Sequence, residues 1–290
     1  MNSGLVLALA GAVLFSAKAI IIKLAYRHGV DAVTLLMLRM AFSLPFFVAM
    51  AWWGGRGRPP LTARDRWVVL GLGFSGYYLA SFLDFLGLQH ISASLERLIL
   101  YLNPTLVMAV GWVWLKRRVT LRQLGALAVS YAGIVVVFGQ ELHWQGGTAA
   151  LGAALVFGSA LSYAVYLVAS GQHVQRLGAL RLTGLATSVA CVLCIVQWLL
   201  LRPVAGLAEL PAPVWWLSLL NATACTAAPV LMVMMAVERV GPTLAAQAGM
   251  IGPLSTVALG VLILGEPFTL AMALGTALVL SGVWWLARLR

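Results

Sequence analysis

Lys18, Lys23, Arg39, Asp84, Glu96 and Arg97 stand inside stretches of sequence that are otherwise apolar. A charge near the centre of a bilayer costs at least about 2.5–3.5 kcal/mol on insertion scales, so it faces a partner, water or a solute. Two acids and four bases in such places suit the recognition of a zwitterionic or charged small molecule. They equally suit structural work. Lys23 can snorkel, and Asp84 can pair with Lys18 or Arg39 to lock helices together. Asp84 and Glu96 are also candidate proton carriers, which would couple solute export to proton entry.

A second layer of amide, hydroxyl and aromatic groups accompanies these charges. On an α-helix, Phe74, Tyr77, Ser81 and Asp84 share one face, with Tyr78 beside them. Glu96 and Asn103 share another face, and Arg97, Tyr101 and Pro104 follow the neighbouring stripe. A later apolar stretch offers Tyr163 and Tyr166, and another offers Gln247. A tyrosine joins an apolar ring to one hydrogen-bonding tip, which suits a tolerant cavity but also an interfacial belt. The expected solute-binding set is Lys18, Tyr77, Tyr78, Ser81, Asp84, Glu96, Arg97, Tyr101, Asn103, Tyr163, Tyr166 and Gln247. Pro45, Pro104, Pro229 and Pro253 interrupt helical patterns, where a proline removes a backbone hydrogen bond. Pro104 and Pro253 are the expected gate hinges.

No catalytic constellation is expected. The four histidines, His28, His90, His143 and His173, form no metal-spaced pair. Cys191 and Cys194 have redox-motif spacing but lie mid-span, with no second pair and no nearby histidine, so they read as packing. There is no phosphate-binding glycine loop and no ATP-binding domain, so the expected activity is secondary transport, with no cofactor and no metal.

These residues need a membrane around them. Hydrophobic residues make up 62% of the 290-residue chain and charged residues 9%, and the mean hydropathy is +0.98. A soluble domain carries about 25% charged residues, so this surface must face lipid. Ten candidate spans follow from the apolar runs, at 4–26, 31–53, 67–88, 92–115, 119–138, 148–170, 179–201, 213–237, 241–264 and 268–287. The N-terminal stretch has no basic lead-in or cleavage site and reads as the first span. An even number of spans puts both termini on one side. Connectors on that side carry thirteen Lys and Arg residues and those opposite carry two, Arg27 and Arg202. By the positive-inside rule both termini are cytoplasmic. The net charge of +11 is then loop topology and not a nucleic-acid footprint.

The chain also repeats itself at an offset of 149 residues: Asn103-Pro104 with Gly252-Pro253, Thr120-Leu121 with Thr269-Leu270, and Gly133 with Gly282. Five spans per repeat is odd, so residues 1–141 and 142–290 form two oppositely oriented units. Inverted repeats characterise secondary transporters. The expected fold is all-α, a polytopic membrane protein of ten transmembrane helices arranged as two inverted five-helix repeats.

Several motifs then acquire a collective meaning. They are Phe15-Ser16-Ala17-Lys18 leading to Lys23, Arg39 in the second span, Ser92 to Arg97 followed by Asn103-Pro104, and Gly265-Glu266-Pro267 after the ninth span. On this ordered set the chain resembles the EamA-type ten-helix members of the drug/metabolite transporter superfamily. It departs from them at Lys18, at Glu96-Arg97 and at Lys116-Arg117, which stands in place of Gly-Glu. The resemblance implies a basket of helices around a central cavity, working by alternating access in the bacterial inner membrane. It implies export of small metabolites, with exporters of aromatic and other neutral amino acids closest. The alternatives are a multidrug or nucleotide-sugar carrier, a non-transporting membrane scaffold and an intramembrane enzyme. The expected partners are a small-molecule substrate and the lipid bilayer; the oligomeric state stays open, with a monomer the simplest reading.

Overall fold

The computed structural model describes residues 3–116, 120–233, 235–236, 239–240 and 251–288. Among these the chain is helical, without strands. Eight helices are long and apolar enough to cross a membrane. They are α1 (Ser3–Tyr26), α2 (Ala32–Gly55), α3 (Ala63–Leu88), α4 (Ala93–Trp114), α5 (Leu121–Gln145), α6 (Gly147–Leu177), α7 (Ala179–Leu201) and α8 (Ala212–Val233). Two shorter apolar helices follow, α9 (Ile251–Leu264) and α10 (Leu270–Arg288). Three helices clearly outrun their expected spans: α3 begins at Ala63, α5 continues past Glu141, and α6 reaches Leu177.

Burial is inverted relative to a soluble protein. Leu121, Leu200 and Leu262 are 86%, 79% and 80% exposed, whereas Lys18, Asp84 and Glu96 are 6%, 2% and 0% exposed. Apolar side chains on the outside and charge on the inside is the arrangement that lipid selects.

Local sequence explains how the helices begin. Asp31 caps α2 by accepting from the backbone N–H groups of Val33 and Thr34 (3.0 and 3.2 Å). Burial pushes the Asp31 carboxyl up, but hydrogen bonds from Thr34 and the Arg202 guanidinium outweigh it and hold the group below its usual value. The cap therefore contributes stability above the ordinary carboxylate range and loses it only as pH falls through the lowered value. Thr62 and Asp65 form a reciprocal capping box at the start of α3.

The helix connections gather at two opposite ends. At one end Arg27 donates to the Leu264 carbonyl (2.8 Å), Arg202 pairs with Asp31 (3.3 Å), and Glu266 reaches the start of α4. At the other end Arg181 donates to the Pro59 carbonyl (2.8 Å), Arg176 pairs with Asp65, and Arg239 donates to Ser3 (3.3 Å).

Packing between the helices is reciprocal. α1 packs on α8 and α9, while α6 packs on α3 and α4. α2 crosses α7, and α5 crosses α10. The last crossing is close because a Cβ on Gly133 would lie 2.6 Å from the Gly275 carbonyl oxygen, and one on Gly282 would lie 2.7 Å from that of Ala126. Backbone irregularities recur at the 149-residue offset. α3 contains a π-turn at Phe74–Leu79 and α8 one at Thr223–Ala227. Lys116 (φ 51°) and Gly265 (φ 72°) both end a helix in the left-handed conformation.

α4 is two helices in sequence, Ala93–Leu100 and Asn103–Leu115, parted at Tyr101–Leu102. Pro104 is thus near the start of a helix, where its missing N–H is tolerated. Pro45, in contrast, sits within the unbroken helix α2. Pro253 lies in the first described turn of α9.

Two stability measurements check this packing. Gly133→Val is expected to destabilise the protein in detergent by about 1–3 kcal/mol through overpacking. Gly139→Val, on the same helix with nothing within 4 Å, is expected to leave the melting temperature nearly unchanged. Lys116→Gly is expected to raise it, because a side chain in the left-handed region costs about 1–2 kcal/mol that glycine does not incur.

Candidate functional site

α1, α3 and α4 meet around one ammonium group. Lys18 Nζ donates to Asp84 Oδ2 at 2.6 Å and lies 3.8 Å from Glu96 Oε1. Asp84 Oδ1 and both Glu96 oxygens have no hydrogen-bond partner. Next to them Arg97 is committed. Its Nε donates to Thr256 Oγ1 (3.0 Å) and its Nη2 to the Phe15 carbonyl (2.9 Å). The Phe15 ring lies 5.9 Å from Lys18 Nζ and 5.6 Å from Arg97 Cζ, so one aromatic face serves two cations. Ser16 Oγ completes the tie by donating to the Gly252 carbonyl (2.9 Å). Arg97 and Ser16 together bind α1, α4 and α9 to one another.

Arg39 enters from α2. Its Nε donates to Thr226 Oγ1 in the π-turn of α8 (3.2 Å), and its guanidinium lies 5.4 Å from the Phe85 ring centre. The two buried arginines of the N-terminal half are therefore each held by a threonine from the C-terminal half. Thr226 and Thr256 were not among the residues expected from sequence. A threonine in a helix satisfies its own hydroxyl on a carbonyl one turn back, as Thr256 does on Gly252 (3.2 Å). Nothing in its immediate sequence reveals a second duty.

The tyrosines gather elsewhere. Tyr77, Tyr163 and Tyr166 form a cluster with ring centres 5.1–6.4 Å apart, and the Tyr77 and Tyr166 hydroxyls are 3.3 Å apart. This cluster packs among Val69, Leu72, Leu182 and Ala186. Tyr78 stacks against Phe74 and Phe82 and joins a different core group. The single face expected for Tyr77, Ser81 and Asp84 assumed regular α-helical phase, and the π-turn at Phe74–Leu79 adds a residue to it. Ser81 is half-buried one turn before Asp84. Tyr101 stands at the break in α4, where Asn103 Nδ2 donates to the Leu100 carbonyl (3.0 Å) while its Oδ1 has no partner. Gln247 lies outside the described residues.

Glu266, just after α9, is tied to the start of α4. Glu266 Oε1 accepts from the Ala93 N–H (2.7 Å), and Oε2 accepts from Ser94 Oγ (2.5 Å) and the Ser94 N–H (3.3 Å). A carboxylate at a helix N-terminus satisfies otherwise unpaired donors and complements the helix dipole. Outside this contact lies a cavity of about 680 Å³ lined by Lys23, Arg27, Gln89, Glu141 and Glu266 among others. Among the described residues no group of His, Cys, Asp and Glu is arranged to hold a metal ion.

Comparison with known proteins agrees with this geometry. Residues 2–139 and, separately, 150–288 match the model of the EamA-like transporter family. The uncharacterized transporter YcbK of Bacillus subtilis (strain 168) is 29% identical over 289 residues, covering 94% of this chain and 89% of that protein. A protein crystal structure covers 100% of this chain and 99% of its own, with a TM-score of 0.65 and 18% identity, a likeness of fold. With two family matches spanning nearly the whole sequence, the chain belongs to the EamA-like transporter family and is a multi-pass membrane transporter.

Proposed function

We propose that the protein exports small zwitterionic metabolites, amino acids foremost, across the bacterial inner membrane by alternating access. Its ten spans form two inverted five-helix units, residues 1–141 and 142–290, with both termini cytoplasmic. The reciprocal helix packing and the backbone features repeated at one offset support the two units. The excess of arginine at the Arg58, Arg176, Arg181 and Arg239 end supports the orientation.

The observation that carries the reading is the pair of carboxylates around Lys18. Lys18 hydrogen-bonds only Asp84 Oδ2 and lies at ion-pair distance (3.8 Å) from Glu96 Oε1, while Asp84 Oδ1 and Glu96 Oε2 are buried without a hydrogen bond to any base. Leaving such groups unsatisfied costs about 1–3 kcal/mol each, more when charged. A solute ammonium group or a proton supplies what they lack. In the export cycle the solute's ammonium group takes up the oxygens that Lys18 leaves free. The outer end then opens when Glu266 releases the start of α4. Tyr101, Asn103 and Pro104, at the break in α4, and Pro253 in α9 are the places where those helices bend.

Liposomes containing purified protein, loaded with labelled amino acids, test the substrate class. At least one neutral amino acid is expected to leave faster than from empty vesicles. Flux of lipophilic cations alone would favour a multidrug carrier instead. A pH gradient is expected to change the rate if Asp84 or Glu96 carries a proton, and equal rates with and without the gradient would remove that role.

The ion pair itself separates function from architecture. Asp84→Asn is expected to destabilise the protein, because it removes the 2.6 Å partner of the buried Lys18 and leaves only the 3.8 Å contact with Glu96. Lys18→Met combined with Asp84→Asn is expected to recover most of that stability yet fail to transport. A double variant that transports at the wild-type rate would make the pair a helix lock and nothing more.

A further inference from the structure

Arg39 is 6% exposed, and its Nη1 has no hydrogen-bond partner. Asn221, on α8, is 1% exposed, and neither atom of its side-chain amide has one either. The two residues are linked through the π-turn: Arg39 Nε donates to Thr226 Oγ1, which donates in turn to the Asn221 carbonyl (2.8 Å). π-turns within α-helices are frequent at functional sites. The Phe85 ring beside the Arg39 guanidinium belongs to the chain neighbour of Asp84, yet among the described residues no ion pair within 4.0 Å joins Arg39 to Asp84. Arg39 Nη1, the Asn221 amide, Asp84 Oδ1 and the Glu96 carboxyl are all buried polar groups without a hydrogen-bond partner.

We infer that Arg39 and Asn221, steadied by Thr226, form the subsite for the solute's carboxylate, opposite the Asp84 and Glu96 subsite for its ammonium group. The chemistry is complementary at both ends. A guanidinium and an amide N–H donate to a carboxylate, and two carboxylates accept from an ammonium group. An α-amino acid carries both groups on one carbon, so its two ends match these two sets of unpaired groups. Arg39 Nε is already fixed on Thr226 and its plane rests on Phe85. The remaining donor is therefore presented with little further ordering, which favours binding. The inference rests on the amino-acid reading above and adds to it the residues that would distinguish an amino acid from an amine.

Calorimetric binding of three probes to the purified full-length protein tests it: L-phenylalanine, phenethylamine, which lacks the carboxylate, and 3-phenylpropionate, which lacks the ammonium group. For Arg39→Gln, Kd for L-phenylalanine and 3-phenylpropionate is expected to rise about tenfold or more, with phenethylamine binding unchanged. Asn221→Ala is expected to shift the same two probes by less, and Arg39→Lys to restore part of the loss. Unchanged binding of all three probes by both Arg39→Gln and Asn221→Ala would overturn the subsite and leave the amino-acid reading intact. An equal loss for all three probes would also overturn it, since that marks structural damage. A wild-type protein that binds none of the probes would overturn the subsite, and absence of flux for every neutral amino acid in the liposome assay would overturn the amino-acid reading itself.

Discussion

The fold is arranged around one contact, the 2.6 Å pair between Lys18 and Asp84 in the interior of an apolar bundle. Neither charge can face lipid at that depth without a penalty of several kcal/mol. α1 and α3 must therefore turn these side chains toward each other, and α4 brings Glu96 to the same point. The arrangement leaves a surplus. Three cations, Lys18, Arg39 and Arg97, surround two carboxylates, and the hydroxyls of Thr226 and Thr256 take up part of the excess donors. What they do not take up, together with the unpaired carboxylate oxygens, is what the proposed solute would satisfy.

The two ends of the bundle are chemically unequal. At the end where Arg27, Asp31 and Arg202 gather, Glu266 clamps the first turn of α4 with three hydrogen bonds. At the 149-residue offset, the first half carries Lys116-Arg117 where the second carries Gly265-Glu266. The left-handed helix end is kept at both places, but the carboxylate is supplied only once.

Much of this was legible in the sequence, for physical reasons. Long apolar runs with sparse charge located the helices, because lipid tolerates little else. Lys18, Asp84, Glu96 and Arg97 stood out because charge in such runs demands a partner. Other features were hidden because they depend on neighbours. The π-turn in α3 forms where Gly73 lies against Ala186 and Gly76 against the Tyr166 ring, and it sends Tyr77 into a cluster of its own. The break in α4 falls before Asn103 and not at Pro104 itself. Thr226, Thr256 and Asn221 are small polar residues in apolar helices, and only the opposing arginine makes the two threonines conspicuous.

The central claim is that the carboxylates beside Lys18 receive the transported solute. It can be tested with an apolar carbodiimide, which reacts with a protonated carboxyl group in an apolar setting, followed by peptide mass spectrometry. Glu96 is expected to be modified in the solute-free protein and to be protected, in a concentration-dependent way, by the amino acid that the protein transports. Modification of Glu96 at the same rate with saturating solute present would contradict the claim.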